Sequence, residues 1–256
     1  MSFIFYRIIY FSSFLLLGST TYAYIVSGHM YYQHFKNREH NIFLEVVIEC
    51  DAVNDLSASN VMNIYLDGGD LNGIETVALR KISENDVDIF CENQPSQCKG
   101  GTRRGLKKVI YKGTYDFSVL NNSQNPYRFF WKKNFRSQKI DFLNTKDQYT
   151  YYTELLIYDT KVNNDSPKLI AQDIHKICIN NQNIVQLNPS DKNQDNVVLS
   201  VSSPRISRQV ELPFDMLRPF GEEISVLNNN LLIPTNSDTI SSVIDIKISE
   251  TKHCGR

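Results

Sequence analysis

Short runs of β-branched and aromatic residues alternate with polar turns through most of this chain. The runs lie at His29 to Phe35, Ile42 to Glu49, Asn63 to Leu66, Lys107 to Phe117, Tyr127 to Trp131, Tyr149 to Asp159, Ile184 to Leu187, Val197 to Ser202, Leu231 to Ile233 and Val243 to Ile248. Turn formers such as Asp67-Gly68-Gly69 and Asn228-Asn229-Asn230 separate them. No segment keeps a helical period long enough to compete with this pattern. The sequence therefore predicts an all-β fold of two tandem β-sandwiches.

The length of 256 residues allows two domains of ordinary size. A hydrophobic fraction of 41% and an aromatic fraction of 11% can fill a sizeable core, which excludes wholesale disorder. The polar stretch from Asn163 to Pro167 is the best boundary between the domains. We therefore expect an N-terminal domain over 24–165 and a second domain over 166–256.

The first 23 residues have the composition of a signal peptide. Arg7 precedes an apolar run from Ile8 to Leu17, and Thr21-Tyr22-Ala23 places small residues where signal peptidase cuts, before Tyr24. A retained membrane anchor is the alternative, but the run is shorter than the about 20 residues that span a bilayer. We expect an exported protein of the cell surface, periplasm or medium, with no transmembrane span in the mature chain.

Export changes how the five cysteines are interpreted, because disulfides persist outside the reducing cytosol. Cys91 and Cys98 enclose a short, polar loop with a proline, so we expect this pair to form a disulfide. A zinc site would be the alternative, since His175 and His253 stand close to Cys178 and Cys254 respectively. These spacings match no standard zinc pattern, and separate buried thiols are the simpler interpretation.

One loop has the composition of a cation site. Asp191, Asn193 and Asp195 place three side-chain oxygens at alternate positions before a predicted strand. Calcium prefers six to eight oxygen ligands, and such a loop provides three of them. An Asx-rich turn without a metal is the alternative. Ca²⁺ is thus the one candidate cofactor, with Asp191, Asn193 and Asp195 as its ligands.

The stretch from Lys99 to Lys139 is rich in cations and contains a single acid, Asp116, although the net charge of the whole chain is only -1. With its interleaved aromatics it predicts a ligand-binding face for polyanions or glycans. The candidate residues are Arg103, Arg104, Lys107, Lys108, Trp131, Lys132, Lys133 and Arg136. In the alternative interpretation, the acidic half before this stretch neutralises it across paired strands, and Trp131 belongs to the core.

Catalytic motifs are missing from the sequence. It has no Gly-x-Ser-x-Gly elbow, no His-Glu-x-x-His and no phosphate-binding glycine loop. We expect a protein that is not an enzyme. A surface polysaccharide or an envelope protein is the expected partner, and nucleic acid is not expected as one.

Several motifs, taken in order, resemble the N-terminal module of secreted surface proteins of gliding Bacteroidota, which the type IX system often exports. The matching segments are Ser27-Gly28-His29-Met30-Tyr31-Tyr32, Val46-Val47-Ile48-Glu49-Cys50-Asp51, the stretch from Cys91 to Cys98, Tyr111-Lys112-Gly113-Thr114-Tyr115 and Trp131-Lys132-Lys133-Asn134-Phe135-Arg136-Ser137. Asn164-Asp165-Ser166-Pro167, Cys178-Ile179-Asn180 and Asp191-Lys192-Asn193-Gln194-Asp195 then resemble the start of a degenerate cadherin-like or immunoglobulin-like module.

This resemblance implies a structural or adhesive role at the cell surface and two immunoglobulin-like or cadherin-like sandwiches. Asn134 and Phe135 stand where the family has paired cysteines, which leaves Cys50 and Cys178 without those partners, either free or bonded to each other. A secreted carbohydrate- or polyanion-binding protein that uses the basic and aromatic face is the alternative function.

Overall fold

The chain is built from β-strands joined by turns. A computed structural model describes residues 25–50, 58–69, 71–87, 95–101, 105–120, 125–134, 150–169, 182–211, 224–234 and 244–251. The strands are β1 Ile25–Lys36, β2 Glu39–Glu49, β3 Val61–Gly68, β4 Glu75–Val87, β5 Leu106–Asp116, β6 Tyr127–Lys133, β7 Tyr151–Ile157, β8 Lys168–Leu169, β9 Gln182–Gln186, β10 Pro189–Ser190, β11 Asn196–Ser202, β12 Ser225–Leu227, β13 Asn230–Pro234 and β14 Asp245–Thr251. In these ranges, no helix is long and apolar enough to cross a membrane.

Strands β1 to β7 form one antiparallel sheet in the order β1-β2-β5-β4-β3-β6-β7. Alternate residues of each strand point to one side, where they make a single hydrophobic core. Leu44 of β2, Leu79 of β4 and Phe129 of β6 are completely buried in it. The polar turns lie outside this core, as the alternation predicts.

The two edge strands of this sheet meet. β1 contacts β7, and the hydroxyl of Tyr151 donates a hydrogen bond to the carbonyl oxygen of Gly28. A Cβ at position 28 would lie 3.0 Å from the carbonyl oxygen of Glu45 and 3.1 Å from a methyl group of Val46. Glycine at this position therefore allows the neighbouring strands to approach, and the sheet curls around its own core.

The strands after Pro167 form three small sheets, β10-β8, β11-β14 and β12-β13-β9. Their apolar side chains share a second core, centred on Val185, Leu199, Leu231 and Ile233. The β12–β13 hairpin turns at Asn228 and Asn229, which both have positive φ. Two consecutive residues with positive φ are typical of a type I′ hairpin turn, for which asparagine is well suited.

The expected all-β, sandwich-like fold is confirmed, and each predicted run coincides with a strand or overlaps one. Strand β4 was not predicted, nor were the short strands β8, β10 and β12. In β4 the pairing with β5 shifts between Lys81 and Ser83, so that Ile82 bulges out and is 55% exposed. This bulge interrupts the alternation of apolar and polar residues by which a strand is recognised.

Candidate functional site

The polar segment between the two cores is buried. Asn164, Asp165 and Ser166, which belong to the polar stretch proposed as the domain boundary, are 2%, 4% and 7% exposed. Ser166 binds β1 through three hydrogen bonds to the backbone of Tyr32: its N–H donates to the carbonyl oxygen, its hydroxyl donates to the same oxygen, and its Oγ accepts from the Tyr32 N–H. We call residues 163–166, with the side chains that bind them, the polar junction.

Asp165 connects β1 to the loop that follows β10. Its Oδ1 accepts a hydrogen bond from the N–H of His34 at 2.9 Å, and its own N–H donates to Oδ1 of Asn193 at 2.9 Å. Its Oδ2 lies 3.1 Å from the ammonium group of Lys192. The Asn193 amide also donates to the carbonyl oxygen of Asn163 at 3.3 Å. Asn193 therefore holds the linker in place.

Three carboxylates meet beside this linker. One oxygen each from Asp191, Asp195 and Glu250 lies within 4.8 Å of the others. The Asp195 N–H donates to Oδ1 of Asp191 at 3.0 Å, and the amide of Asn164 donates to Oε1 of Glu250 at 2.6 Å. Oδ2 of Asp191 is buried without a hydrogen-bond partner. We call Asp191, Asp195 and Glu250 the acidic cluster.

The acidic cluster differs from the predicted metal site in one ligand. Asp191 and Asp195 are together as expected, but the side chain of Asn193 contacts the linker, and Glu250 of β14 is the third acid. Glu250 was missed because it is far away in the sequence and only the pairing of β11 with β14 brings it close. The unpartnered Asp191 oxygen and the oxygen-only donor set fit a hard divalent cation such as Ca²⁺.

The negative charges of nearby acids affect the pKa of Tyr32. Burial first, and then the negative charges of Glu250, Asp165 and Asp191, raise the pKa of its hydroxyl to about 12. The Asn164 amide donates a hydrogen bond to this hydroxyl at 3.3 Å. The tyrosine therefore remains a neutral phenol at physiological pH, and it closes one side of the polar junction.

His40 lies near the polar junction and is completely buried. Its ring lies edge-on to the rings of Tyr32, His34 and Phe117, with centroids 5.3 to 5.5 Å away. Nδ1 is 3.4 Å from the carbonyl oxygen of Arg38, and Nε2 has no hydrogen-bond partner. Burial lowers the pKa of this imidazole from its ordinary value.

Two of the predicted ligand-binding lysines are bound by carboxylates across the sheet. Nζ of Lys107 lies 2.9 Å from Oε1 of Glu84, and the ammonium group of Lys108 pairs with the carboxylate of Glu45. Hydrogen bonds from Lys81 and Lys107 hold the pKa of the Glu84 carboxyl below its usual range. At Lys107 and Lys108, carboxylates of neighbouring strands therefore neutralise the lysine charges, as the alternative interpretation expects.

Trp131 does not reach the surface as a stacking platform. It is 1% exposed and packs in the first core, 5.9 Å from the ring of Tyr151. Its neighbour in sequence, Phe130, points to the opposite face of β6 and stacks against Tyr65 at 5.4 Å. Alternation along the strand therefore turns Trp131 inward and Phe130 outward. Lys132 is exposed on the outer face and Lys133 is half-buried.

The expected disulfide between Cys91 and Cys98 is wrong, because Cys98 is bonded to Cys50. Antiparallel pairing places Glu49 opposite Leu106, and the N–H of Cys50 donates to the carbonyl oxygen of Gly105 at 3.0 Å. Cys98 lies in the short 3₁₀ turn Gln97–Lys99, ahead of β5. The sheet thus brings together two cysteines that are 48 residues apart.

Several predicted residues lie outside the described part of the chain. They are Cys91, Arg103, Arg104, Arg136, Cys178, Cys254 and the signal-peptide segment 1–23. Comparisons with known proteins add no assignment: no family model, no curated protein and no solved structure matches this chain. The candidate sites therefore rest on their own geometry.

Proposed function

We propose that this protein is an exported, non-enzymatic module of the cell surface or envelope, with a structural or adhesive role. The observation that carries the proposal is the polar junction, in which a linker is buried and bonded to both of the units it connects. Flexible interdomain linkers are typically solvated and make few such contacts. A protein that transmits force, or that presents a surface at a fixed angle, needs a linker that is held firmly by both units.

The disulfide supports export. Cys50 directly follows β2 and Cys98 lies in the turn ahead of β5, and a bond between them persists in an oxidising compartment but not in the cytosol. The signal-like segment 1–23 and the resemblance to surface proteins of gliding Bacteroidota favour the same compartment. The same resemblance implies the structural or adhesive role.

The absence of catalysis remains part of the proposal, and the engagement of the acids supports it. Glu84 binds two lysines, Glu154 binds Arg205 and Asp67 binds Arg128. A general acid or base has to be accessible to its substrate. These carboxylates instead hold strands and loops together.

We further propose that the acidic cluster binds Ca²⁺ in the exported protein. Two acids come from the loop before β11 and the third from β14, while Asn164 of the linker contacts the third acid. An ion held by Asp191, Asp195 and Glu250 would reduce the repulsion among three close negative charges. It would thereby stabilise the wall of the polar junction and stiffen the connection.

Thiol trapping in intact cells of the source organism tests the exported location. Cells are lysed into a maleimide-linked polymer, with and without prior reduction, and the protein is followed with an antibody in cytosolic, envelope and medium fractions. We expect it in the envelope or medium, with Cys50 and Cys98 unreactive until they are reduced. A cytosolic protein with reactive Cys50 and Cys98 would refute the proposal.

Small-angle X-ray scattering of the purified mature chain tests the structural role. We expect a profile that one fixed arrangement of the two units fits, both with and without a moderate increase in salt. The double variant Asn164→Ala, Ser166→Ala should need an ensemble of arrangements. If the wild type already needs such an ensemble, the junction is not a rigid connection and the structural role loses its basis.

A further inference from the structure

A cleft opens on the first sheet where two hydrogen-bonded strands part. β3 and β6 are paired only from Tyr65 to Gly68 of β3, opposite Tyr127 to Phe130 of β6. Next to the paired segment, a depression of about 250 Å³ lies between the two strands. It is lined by Val61, Met62, Asn63 and Tyr65 of β3 and by Trp131, Lys132 and Lys133 of β6. Met62 and Trp131, which are 5% and 1% exposed, form its floor. The cleft is therefore shallow and has a firm base.

An aromatic ring stands at the paired end of this cleft. Tyr65 is 37% exposed, and the ring of Phe130 stacks against it at 5.4 Å with an interplanar angle of 29°. Phe130 in turn stacks against Tyr152 at 6.1 Å and 27°. The three rings form a ladder across β3, β6 and β7. The supporting rings hold Tyr65 in place, so little rotational freedom is lost when a ligand stacks on it.

The walls of the cleft are polar and positively charged. Asn63 and Lys132 are exposed along its two sides. Beside the cleft, Arg80 of β4 pairs with Val61 of β3 and is exposed too. Within the described residues neither Lys132 nor Arg80 has an ion pair, whereas the acids Asp67 and Glu154 on neighbouring strands are bound to Arg128 and Arg205. In the part of the chain that the structure describes, Lys132 and Arg80 therefore make the surface beside the cleft positively charged.

We infer that this cleft binds one residue of an acidic polysaccharide, such as a uronic acid unit. The apolar face of a pyranose ring stacks on a tyrosine ring, its hydroxyl groups bond to an amide such as that of Asn63, and its carboxylate pairs with Lys132 and Arg80. The volume lies just below the about 300–1,000 Å³ range of drug-sized ligand sites, which suits a single sugar ring. Charge complementarity favours an acidic sugar over a neutral one.

Calorimetric titration of the purified mature chain with a hexameric oligogalacturonate tests this inference. Dextran oligosaccharide of the same length and an oligo-dT of six nucleotides serve as comparison ligands. We expect saturable binding of the oligogalacturonate and none of dextran. Tyr65→Ala should weaken binding about fivefold or more because it removes the stacking surface, and Lys132→Ala should do the same because it removes the cation that pairs with the carboxylate.

Tyr65→Phe keeps the ring and should bind like the wild type, whereas Tyr158→Ala removes a tyrosine that is 70% exposed away from the cleft and should change nothing. Unchanged thermal midpoints show that each variant is folded. The inference is overturned if oligogalacturonate does not bind, if Tyr65→Ala binds it as well as wild type does, or if oligo-dT binds more tightly than the saccharide. None of these outcomes depends on where the protein is located or on the polar junction.

Discussion

The Nδ2 atom of Asn164 donates a hydrogen bond to Oε1 of Glu250 across 2.6 Å, which joins the linker to the last described strand. The same amide also donates to the hydroxyl of Tyr32 in β1 at 3.3 Å. One side chain thus bonds to both units of the molecule. This makes Asn164 the residue through which the polar junction is most directly tested.

Replacing Asn164 by alanine should lower the free energy of unfolding by about 1–3 kcal/mol, because the half-buried Glu250 carboxylate and the buried Tyr32 hydroxyl each lose the hydrogen bond from this amide. Urea denaturation followed by intrinsic fluorescence measures the change. Asn163→Ala is the matched control: this neighbour is exposed, and only its backbone carbonyl accepts a bond from Asn193. Equal stability of the two variants would contradict the account of the junction.

Removing the disulfide with Cys50→Ser should destabilise the first unit by about 2–4 kcal/mol, because the bond closes a long loop in the unfolded chain. Chemical denaturation of oxidised wild type and variant measures the difference. Cys91→Ser should have little effect, and peptide mapping of that variant should still recover the linked Cys50 and Cys98 peptides. A linked Cys91–Cys98 peptide in the wild type would restore the pairing expected from the sequence.

Stability should decrease on acidification because of His40. Burial lowers the pKa of its imidazole below the ordinary value of 6.5, so the folded state favours the neutral ring. The stabilisation is complete above pH 6.5 and is lost as the pH falls towards the lower pKa of the folded state, because the unfolded chain takes up the proton first. Denaturation midpoints between pH 8 and pH 5 measure this dependence.

The His40→Gln variant tests whether the pH dependence belongs to that residue. The denaturation midpoint of this variant should depend less on pH below pH 6.5 than that of the wild type does, even if its stability at pH 8 is lower. The other charged groups near the imidazole are His34, Asp165 and Arg38, and the variant retains all three. Parallel curves for variant and wild type would assign the acid sensitivity elsewhere.

Calcium should raise the thermal midpoint of the mature protein if the acidic cluster binds it. A ligand that binds only the native state stabilises it by about 2.7 kcal/mol at a hundredfold excess over its dissociation constant. Asp195→Asn should abolish most of the rise. Asn193→Ala should keep it, since that side chain contacts the linker. A wild-type midpoint that does not move at millimolar Ca²⁺ would exclude the site.

The strand pattern was largely predictable from the sequence, because each run alternates over a core that spans the whole sheet. Strand β4 was not predictable, because the bulge at Ile82 shifts the alternation of apolar and polar residues halfway along the strand. The pairing of strands that are far apart in the sequence was also not predictable. It decides that Cys98 meets Cys50, and it brings Glu250 to the acids of a loop far earlier in the sequence.

The polar junction shows that a segment of turn-forming residues can be buried. Asn, Asp and Ser favour exposed turns, but each has donors and acceptors that can replace water when they are buried. Here Asn164, Asp165 and Ser166 make such bonds with β1, β14 and the loop after β10. Local sequence alone does not distinguish a solvated turn from a buried polar segment whose partners come from elsewhere.

The meeting of β1 and β7 affects how this protein can associate with others. At Gly28 and Tyr32 the carbonyl oxygens of β1 accept from Tyr151 and Ser166, and the His34 N–H donates to Asp165. An incoming peptide would find these backbone groups of β1 already engaged, so strand addition at this margin is disfavoured. Recognition by the first unit would then depend on side chains displayed by the faces of its sheet. At the β1 margin, edge-to-edge pairing with the same strand of a second molecule is disfavoured for the same reason.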